Sequence, residues 1–250
     1  MKRVYLLTSD NHGDYDSFLK IVKQVKVDYK NCEIRIYNLG DYNNWKDNKF
    51  LSRDGHDYVG YIDINGKEYF KNFKNQEALD GNHFIGKVCV DTVIDKDSSI
   101  KNAPADKLEK IFNKKYVNLK ETDLIKSLCD YKIITTGNKT KIVLFHEPMY
   151  KLDPTWYDTY TYFGYGGEKS RLKHVAYINK ILTKEKPTYI VGAHQHDPSV
   201  LESSDKNNWF KYKLYILGSA NPDAKRESKK NDINYAIIDD NGNYTAKILK

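Results

Sequence analysis

Several short apolar runs in this chain break off at an aspartate or a histidine. Val4-Tyr5-Leu6-Leu7 runs into Thr8-Ser9-Asp10-Asn11-His12. Glu33-Ile34-Arg35-Ile36-Tyr37-Asn38-Leu39 closes at Gly40-Asp41. Lys141-Ile142-Val143-Leu144-Phe145 ends at His146-Glu147-Pro148, and Thr188-Tyr189-Ile190-Val191 leads into Gly192-Ala193-His194-Gln195-His196. Such runs read as strands. Between the first two, Phe18, Ile21, Val22 and Val25 recur at helical spacing through about Tyr29. The chain therefore opens as a β-α-β unit, which implies a parallel strand pair with a right-handed crossover. In open α/β sheets, sites form beyond the carboxyl ends of the strands. The groups that end these runs are placed to converge on one rim.

The rest of the chain is read more coarsely. Residues from about 45 to 80 predict an inserted β-hairpin, with its turn at Asn65-Gly66. Gln76-Glu77-Ala78-Leu79-Asp80 makes a poor strand. Helical patterns cover about 104–114 and 121–129. Lys132 to Phe145 predicts a second hairpin, turning at Gly137-Asn138. An aromatic, Gly-rich loop spans about 154–167 and carries Trp156, Tyr157, Tyr160, Tyr162, Phe163 and Tyr165. A helix follows over about 169–184, with Leu172, Val175, Ile178 and Leu182 on one face, and Pro187 ends it. Two more strands, about 211–217 and 234–239, come before an Asn241-Gly242 turn. No repeat or linker divides the chain, so residues 1–250 are expected to form a single domain.

Composition excludes several classes. A chain of 250 residues can bury a core without disulfide or metal staples. No apolar run approaches the ~20 residues of a membrane span, and the N-terminal apolar stretch is too short for a signal peptide. Cys32, Cys89 and Cys129 form no CxxC pair, which fits a reduced, cytoplasmic protein. The net charge of +7 is carried mostly by dispersed lysine. That permits a nucleic-acid partner without indicating one, because dedicated base or phosphate recognition favours the arginine fork. The basic run around Lys225-Arg226-Glu227-Ser228-Lys229-Lys230 reads as a solvated loop. The aromatic loop reads as packing on the domain, with stacking of a nucleobase or sugar as the other reading.

The chemistry lies in the histidines. Five of the seven, His12, His83, His146, His194 and His196, stand at strand ends or in adjoining loops. His56 and His174 are given no role. Asp10 and His12 are two residues apart, as are His194 and His196. In extended backbone such residues point the same way, so each pair is expected to aim two groups at one point. Imidazole, carboxylate and an Asn amide, with no thiolate, suit Mn, Fe, Zn or Ni ions rather than a structural zinc. Four imidazoles and two carboxylates exceed what one ion uses. Two ions sharing a bridging Asp is the economical arrangement, and such a pair can clamp an in-line displacement at phosphorus.

The ordered series Asp10-Asn11-His12, Gly40-Asp41-Tyr42-Asn43-Asn44, Gly81-Asn82-His83-Phe84, Phe145-His146-Glu147-Pro148 and Ala193-His194-Gln195-His196 resembles the signature of the calcineurin-like metallophosphoesterase superfamily. The blocks span essentially the whole chain. The resemblance implies a four-layer α-β-β-α sandwich, two mixed sheets face to face with helices outside. It implies that Asp10, His12 and His196 hold one ion, that Asn82, His146 and His194 hold a second, and that Asp41 bridges them. The two ions would be divalent or trivalent, with manganese first among Mn, Fe, Zn and Ni. The reaction implied is hydrolysis of a phosphomonoester or phosphodiester by a hydroxide bridging the ions, with His83 assisting the leaving group. A nuclease using the same site, and a non-catalytic scaffold of the same fold, are the alternatives. The chain departs from the pattern at Asn44, where many members carry a second Asp or another polar residue. It departs again at Phe84, where a carboxylate is common, and at Ala193, with Gly192 one residue earlier. Substrate class within phosphate esters and oligomeric state are not encoded in these motifs.

Overall fold

Alternation along the first strand sorts its side chains between two cores. The computed structural model describes residues 2–12, 14–41, 76–79, 131–147, 168–205, 208, 210–222 and 232–250. Strand β1 (Arg3–Thr8) turns Val4 and Leu6 to one face and Tyr5 and Leu7 to the other, and all four are buried. Helix α1 (Tyr15–Asp28) covers the first face with Phe18, Ile21, Val22 and Val25. It starts where the Asp14 carboxylate accepts the Ser17 amide at 3.1 Å, satisfying a donor that a helix N-terminus leaves open. Asp16 in its first turn and Lys26 in its last match the helix dipole. Strand β2 (Glu33–Asn38) then pairs parallel to β1, from Arg3 against Glu33 to Thr8 against Asn38. The expected β-α-β opening is present.

Among the described residues there are two five-stranded sheets. The first runs β10-β9-β1-β2-β3 and the second β4-β5-β6-β8-β7. In the first, β9 (Ile233–Asp239) lies antiparallel to β1, and β10 (Tyr244–Leu249) antiparallel to β9. In the second, β4 (Tyr131–Thr135) and β5 (Lys141–Phe145) form the expected hairpin, and β6 (Tyr189–Gly192) lies parallel to β5. Strand β8 (Leu214–Ile216) lies parallel to β6, and β7 (Ser199–Leu201) is antiparallel to β8.

The sheets face one another across a shared core. Tyr5, Leu7, Tyr37 and Ile238 come from the first, and Ile134, Ile142, Leu144 and Val191 from the second. The other face of the second sheet buries Val143, Phe145 and Ile190. Helix α2 (Glu168–Glu185) buries Val175, Ile178, Ile181 and Leu182 and is tied to the hairpin by Lys141 Nζ on Glu185 at 2.9 Å. The layering is the α-β-β-α sandwich with two mixed sheets. No helix among the described residues is long and apolar enough to cross a membrane.

Three strands depart from the sequence expectation. Gln76–Ala78 is strand β3, parallel to β2 from Ile36 against Gln76 to Asn38 against Ala78. Its polar residues show no strand pattern; the backbone ladder supplies what side-chain periodicity lacks. The end of the supposed 45–80 insert thus belongs to the main sheet. Strands β7 and β10 were not anticipated. Val200 in β7 is 52% exposed, and Thr245 and Ala246 in β10 are exposed, so neither edge strand carries a buried apolar stripe. The Asn65-Gly66 hairpin, the helices at 104–114 and 121–129, and the loop at 154–167 lie outside the described residues.

Candidate metal centre

The parallel strands all open to one rim. Beyond β1 come Asp10 and His12, beyond β2 Asp41, beyond β5 His146, and beyond β6 His194 and His196. These six side chains gather into two groups, Asp10 with His12 and His196, and Asp41 with His146 and His194. Within each group the potential donor atoms lie within 4.8 Å of one another. Asn82 and His83, with Asn44 and Phe84, lie outside the described residues. Strand β3 ends beside β2, and the Leu79 amide donates to the Asn38 carbonyl at 2.8 Å. The chain therefore leaves the sheet at the Asp41 rim three positions before Asn82.

The route to convergence differs from the one expected. Residues i and i+2 of a flat strand share a face, but these residues are past their strands and in left-handed backbone. The φ angles are 53° at Asp10, 45° at His12, 50° at Asp41, 74° at His194 and 67° at His196. Each such residue costs on the order of 1 kcal/mol or more unless its surroundings hold it, and such strain concentrates at functional sites. The backbone supplies the hold. The Asp10 amide donates to the Gly40 carbonyl at 3.0 Å and the His12 amide to the Asp41 carbonyl at 2.9 Å. The His194 amide donates to Asp10 Oδ2 at 3.1 Å.

The donor chemistry fits cations at both groups. The Leu39 carbonyl can only accept, so its 2.6 Å contact fixes a proton on His146 Nδ1. In the neutral ring the Nε2 lone pair then faces Asp41 Oδ2 at 3.3 Å. A lone pair against a carboxylate in a buried site calls for a cation between them, either a proton or a metal ion. In the first group, His12 Nε2 and His196 Nε2 face each other at 3.0 Å, and His196 Nε2 is 3.5 Å from Asp10 Oδ1. Three basic atoms there point at one small region.

The electrostatics follow from burial and these neighbours. Burial pulls the His146 imidazole down, but the Asp41 carboxylate outweighs it and the ring is raised to about 9. Burial acts against Asp10, yet His196 and His146 hold its carboxyl well below the usual range. Burial, with His146 nearby, pushes His194 down to about 3, leaving a neutral ring suited to ligation. Burial raises the Glu147 carboxyl to about 8, and neither of its oxygens has a hydrogen-bond partner among the described residues.

Sequence reasoning missed the polar web beneath these turns. Asn38 Nδ2 donates to Asn11 Oδ1 at 2.9 Å, and Asn38 Oδ1 accepts the Gly40 amide at 2.9 Å. The Ser219 hydroxyl donates to the Asp10 carbonyl at 2.8 Å. Asn221 Nδ2 donates to the Asn11 carbonyl at 3.1 Å. Ser219 follows the apolar run Leu214 to Leu217, the same strand-then-polar pattern that marks the charged residues at the rim. His174, given no role from sequence, is fully buried on α2 and hydrogen-bonds to the Glu147 backbone.

No protein-family model and no curated protein matches the chain. Solved structures do, at low identity. One is a conserved uncharacterized protein from Streptococcus pneumoniae described as a predicted phosphoesterase, 15% identical with a TM-score of 0.43, covering 100% of this chain and 90% of that one. A metallophosphoesterase from Sphaerobacter thermophilus is 12% identical with a TM-score of 0.43, covering 100% of this chain and 89% of that one. Vps29 from Chaetomium thermophilum is 12% identical with a TM-score of 0.40, covering 99% of this chain and 97% of that one. The two Asp-His-His groups rest on this chain's own geometry. In its ordered motifs and in its sandwich fold, the chain resembles the calcineurin-like metallophosphoesterase superfamily.

Proposed function

We propose that the protein is a metal-dependent phosphoesterase with a dinuclear site, hydrolysing a phosphomonoester or phosphodiester. The observation that carries this reading is the pair of adjacent Asp-His-His groups on one rim, joined through the Asp10 and Asp41 turns. Asp10, His12 and His196 would hold one ion, and His146, His194 and Asn82 the other, with Asp41 shared. Manganese suits this imidazole and carboxylate set, with Fe, Zn or Ni as substitutes. Bound ions supply Lewis-acid stabilisation at phosphorus and lower the pKa of a water to near neutral. The chain's own part is to fix the donors. Leu39 orients the His146 ring, burial keeps His194 neutral, and the left-handed turns aim the donor atoms inward. His83 would give a proton to the departing oxygen.

The test is turnover with Mn²⁺ of a chromogenic phosphomonoester, a chromogenic phosphodiester, single-stranded DNA and a cyclic nucleotide in parallel. Turnover of at least one ester, lost on chelation, is the expected result. Bound metal with no turnover of any of them sinks the reading. A His83→Ala variant is expected to keep its metal and lose about 10²–10⁴ in rate. Loss of metal instead removes His83 from the leaving-group role.

A further inference from the structure

The first Asp-His-His group is assembled from both sheets, since Asp10 and His12 follow β1 and His196 follows β6. Its members sit in left-handed turns. One short segment touches both sides. The Ser219 hydroxyl donates to the Asp10 carbonyl at 2.8 Å, while the Ser219 amide donates to the His196 carbonyl at 2.8 Å. The next amide, Ala220, donates to the Ser9 carbonyl at 2.9 Å, and Asn221 Nδ2 to the Asn11 carbonyl at 3.1 Å. Ser219 is fully buried; its hydroxyl oxygen accepts the Asn221 amide at 3.0 Å, and its one proton has the Asp10 carbonyl at 2.8 Å as the nearer acceptor and the Asn221 carbonyl at 3.0 Å as the other.

We propose that Ser219 and Asn221 are positioning residues for the first metal site, a strap that sets the separation between Asp10 and His196 across the two sheets. The proposal rests on the metal-site reading above and deepens it. The second group has a different tie, because His146 is held by the Leu39 carbonyl and by the Ala193 amide on its own carbonyl at 2.9 Å. Loosening the strap therefore acts first on the first site, and reaches the second only through the His194–Asp10 and His12–Asp41 bonds. Outer-sphere partners that orient ligands are worth about 10–100-fold in metal affinity.

The experiment is a Mn²⁺ titration of the full chain, followed by electron paramagnetic resonance, for wild type, Ser219→Ala and Asn221→Ala. His12→Ala and His146→Ala variants assign each binding step to its group. Ser219→Ala is expected to weaken the first-group step by about 10–100-fold and leave the second within about 2-fold. Asn221→Ala is expected to move the same step in the same direction. At saturating Mn²⁺ both variants should recover the wild-type kcat, which a generally damaged fold would not. Equal weakening of both steps, or no change in either, overturns the proposal. If Ser219→Ala does not fold, Asn221→Ala decides alone. Metal bound without turnover overturns the phosphoesterase reading and leaves the affinity comparison standing. A wild type that binds no Mn²⁺ overturns both.

Discussion

A carboxylate buried as completely as Asp10 stays charged only because cationic or polar groups surround it, and its neighbours here are imidazoles. Asp41 is equally buried and faces His146. An Asp41→Asn substitution keeps the shape and removes the charge. It is expected to cost more than ~100-fold in affinity for the second ion, beyond what outer-sphere partners cost. Unchanged metal content, measured by elemental analysis after dialysis, removes Asp41 as the shared ligand. His174 makes a separate prediction. Burial holds its ring down at about 3, against an ordinary 6.5, despite its hydrogen bond to the Glu147 backbone. Between those values the unfolded chain takes up a proton that the native ring refuses, so acidification destabilises the fold. One such proton is worth about 1.4 kcal/mol per pH unit. Urea unfolding of the metal-free protein at pH 6, 5.5 and 5 should show that much extra slope in wild type relative to His174→Gln. Equal slopes would mean that the buried ring is charged in the native state.

At the scale of elements, the rim turns depend on close packing of the strands behind them. Gly218 ends the run after β8, immediately before Ser219, and a Cβ there would lie 2.6 Å from Asn234 Nδ2 and 2.9 Å from Asn234 Cβ. Asn234 belongs to β9 and is buried, so it has little room to withdraw. Gly218→Ala is therefore expected to destabilise by about 1–3 kcal/mol, as overpacking does, read as a lowered urea midpoint. A midpoint equal to wild type would show that β9 yields freely. These elements also show how far the sequence could be read. Strands β1, β5 and β6 and helix α1 declare themselves because burial on their faces forces an apolar pattern. The six rim residues were legible because each follows such a run. Their left-handed turns were not, since nothing in Asp-x-His spacing distinguishes a continued strand from a turn held by distant carbonyls such as those of Gly40 and Asp41. Strand β3 and the Ser219 strap were hidden for the same reason. Their role lies in backbone hydrogen bonds between segments far apart in sequence.

The whole molecule is two sheets tied at both ends by different means. Away from the rim, Tyr5 donates from its hydroxyl to the Thr135 carbonyl at 3.1 Å, and Tyr189 to the Gly242 carbonyl at 2.9 Å. The Gly137 amide meets Asp240 Oδ1 at 3.0 Å. At the rim the ties run through the proposed ligands themselves. His146 reaches Leu39, and the His194 amide reaches Asp10. Ions bound there would bridge the sheets, since each group draws donors from both. Binding to the native state alone adds about 1.4 kcal/mol of stability for every tenfold of free metal above the dissociation constant. The increment should also depend on pH. His146 is raised to about 9 by Asp41, so below that pH the metal-free ring carries a proton on Nε2 that an ion must displace. Each pH unit of acidification below about 9 then weakens metal binding about tenfold, and the Mn²⁺-induced gain in unfolding free energy shrinks by about 1.4 kcal/mol. Measured at fixed Mn²⁺ between pH 6 and 8, the gain should climb with pH in wild type. In His146→Ala the gain owed to the first group should remain, and the part of the climb owed to this proton should vanish. A gain in wild type that stays flat with pH would mean that the ion does not take the place of that proton, and His146 would leave the ligand set.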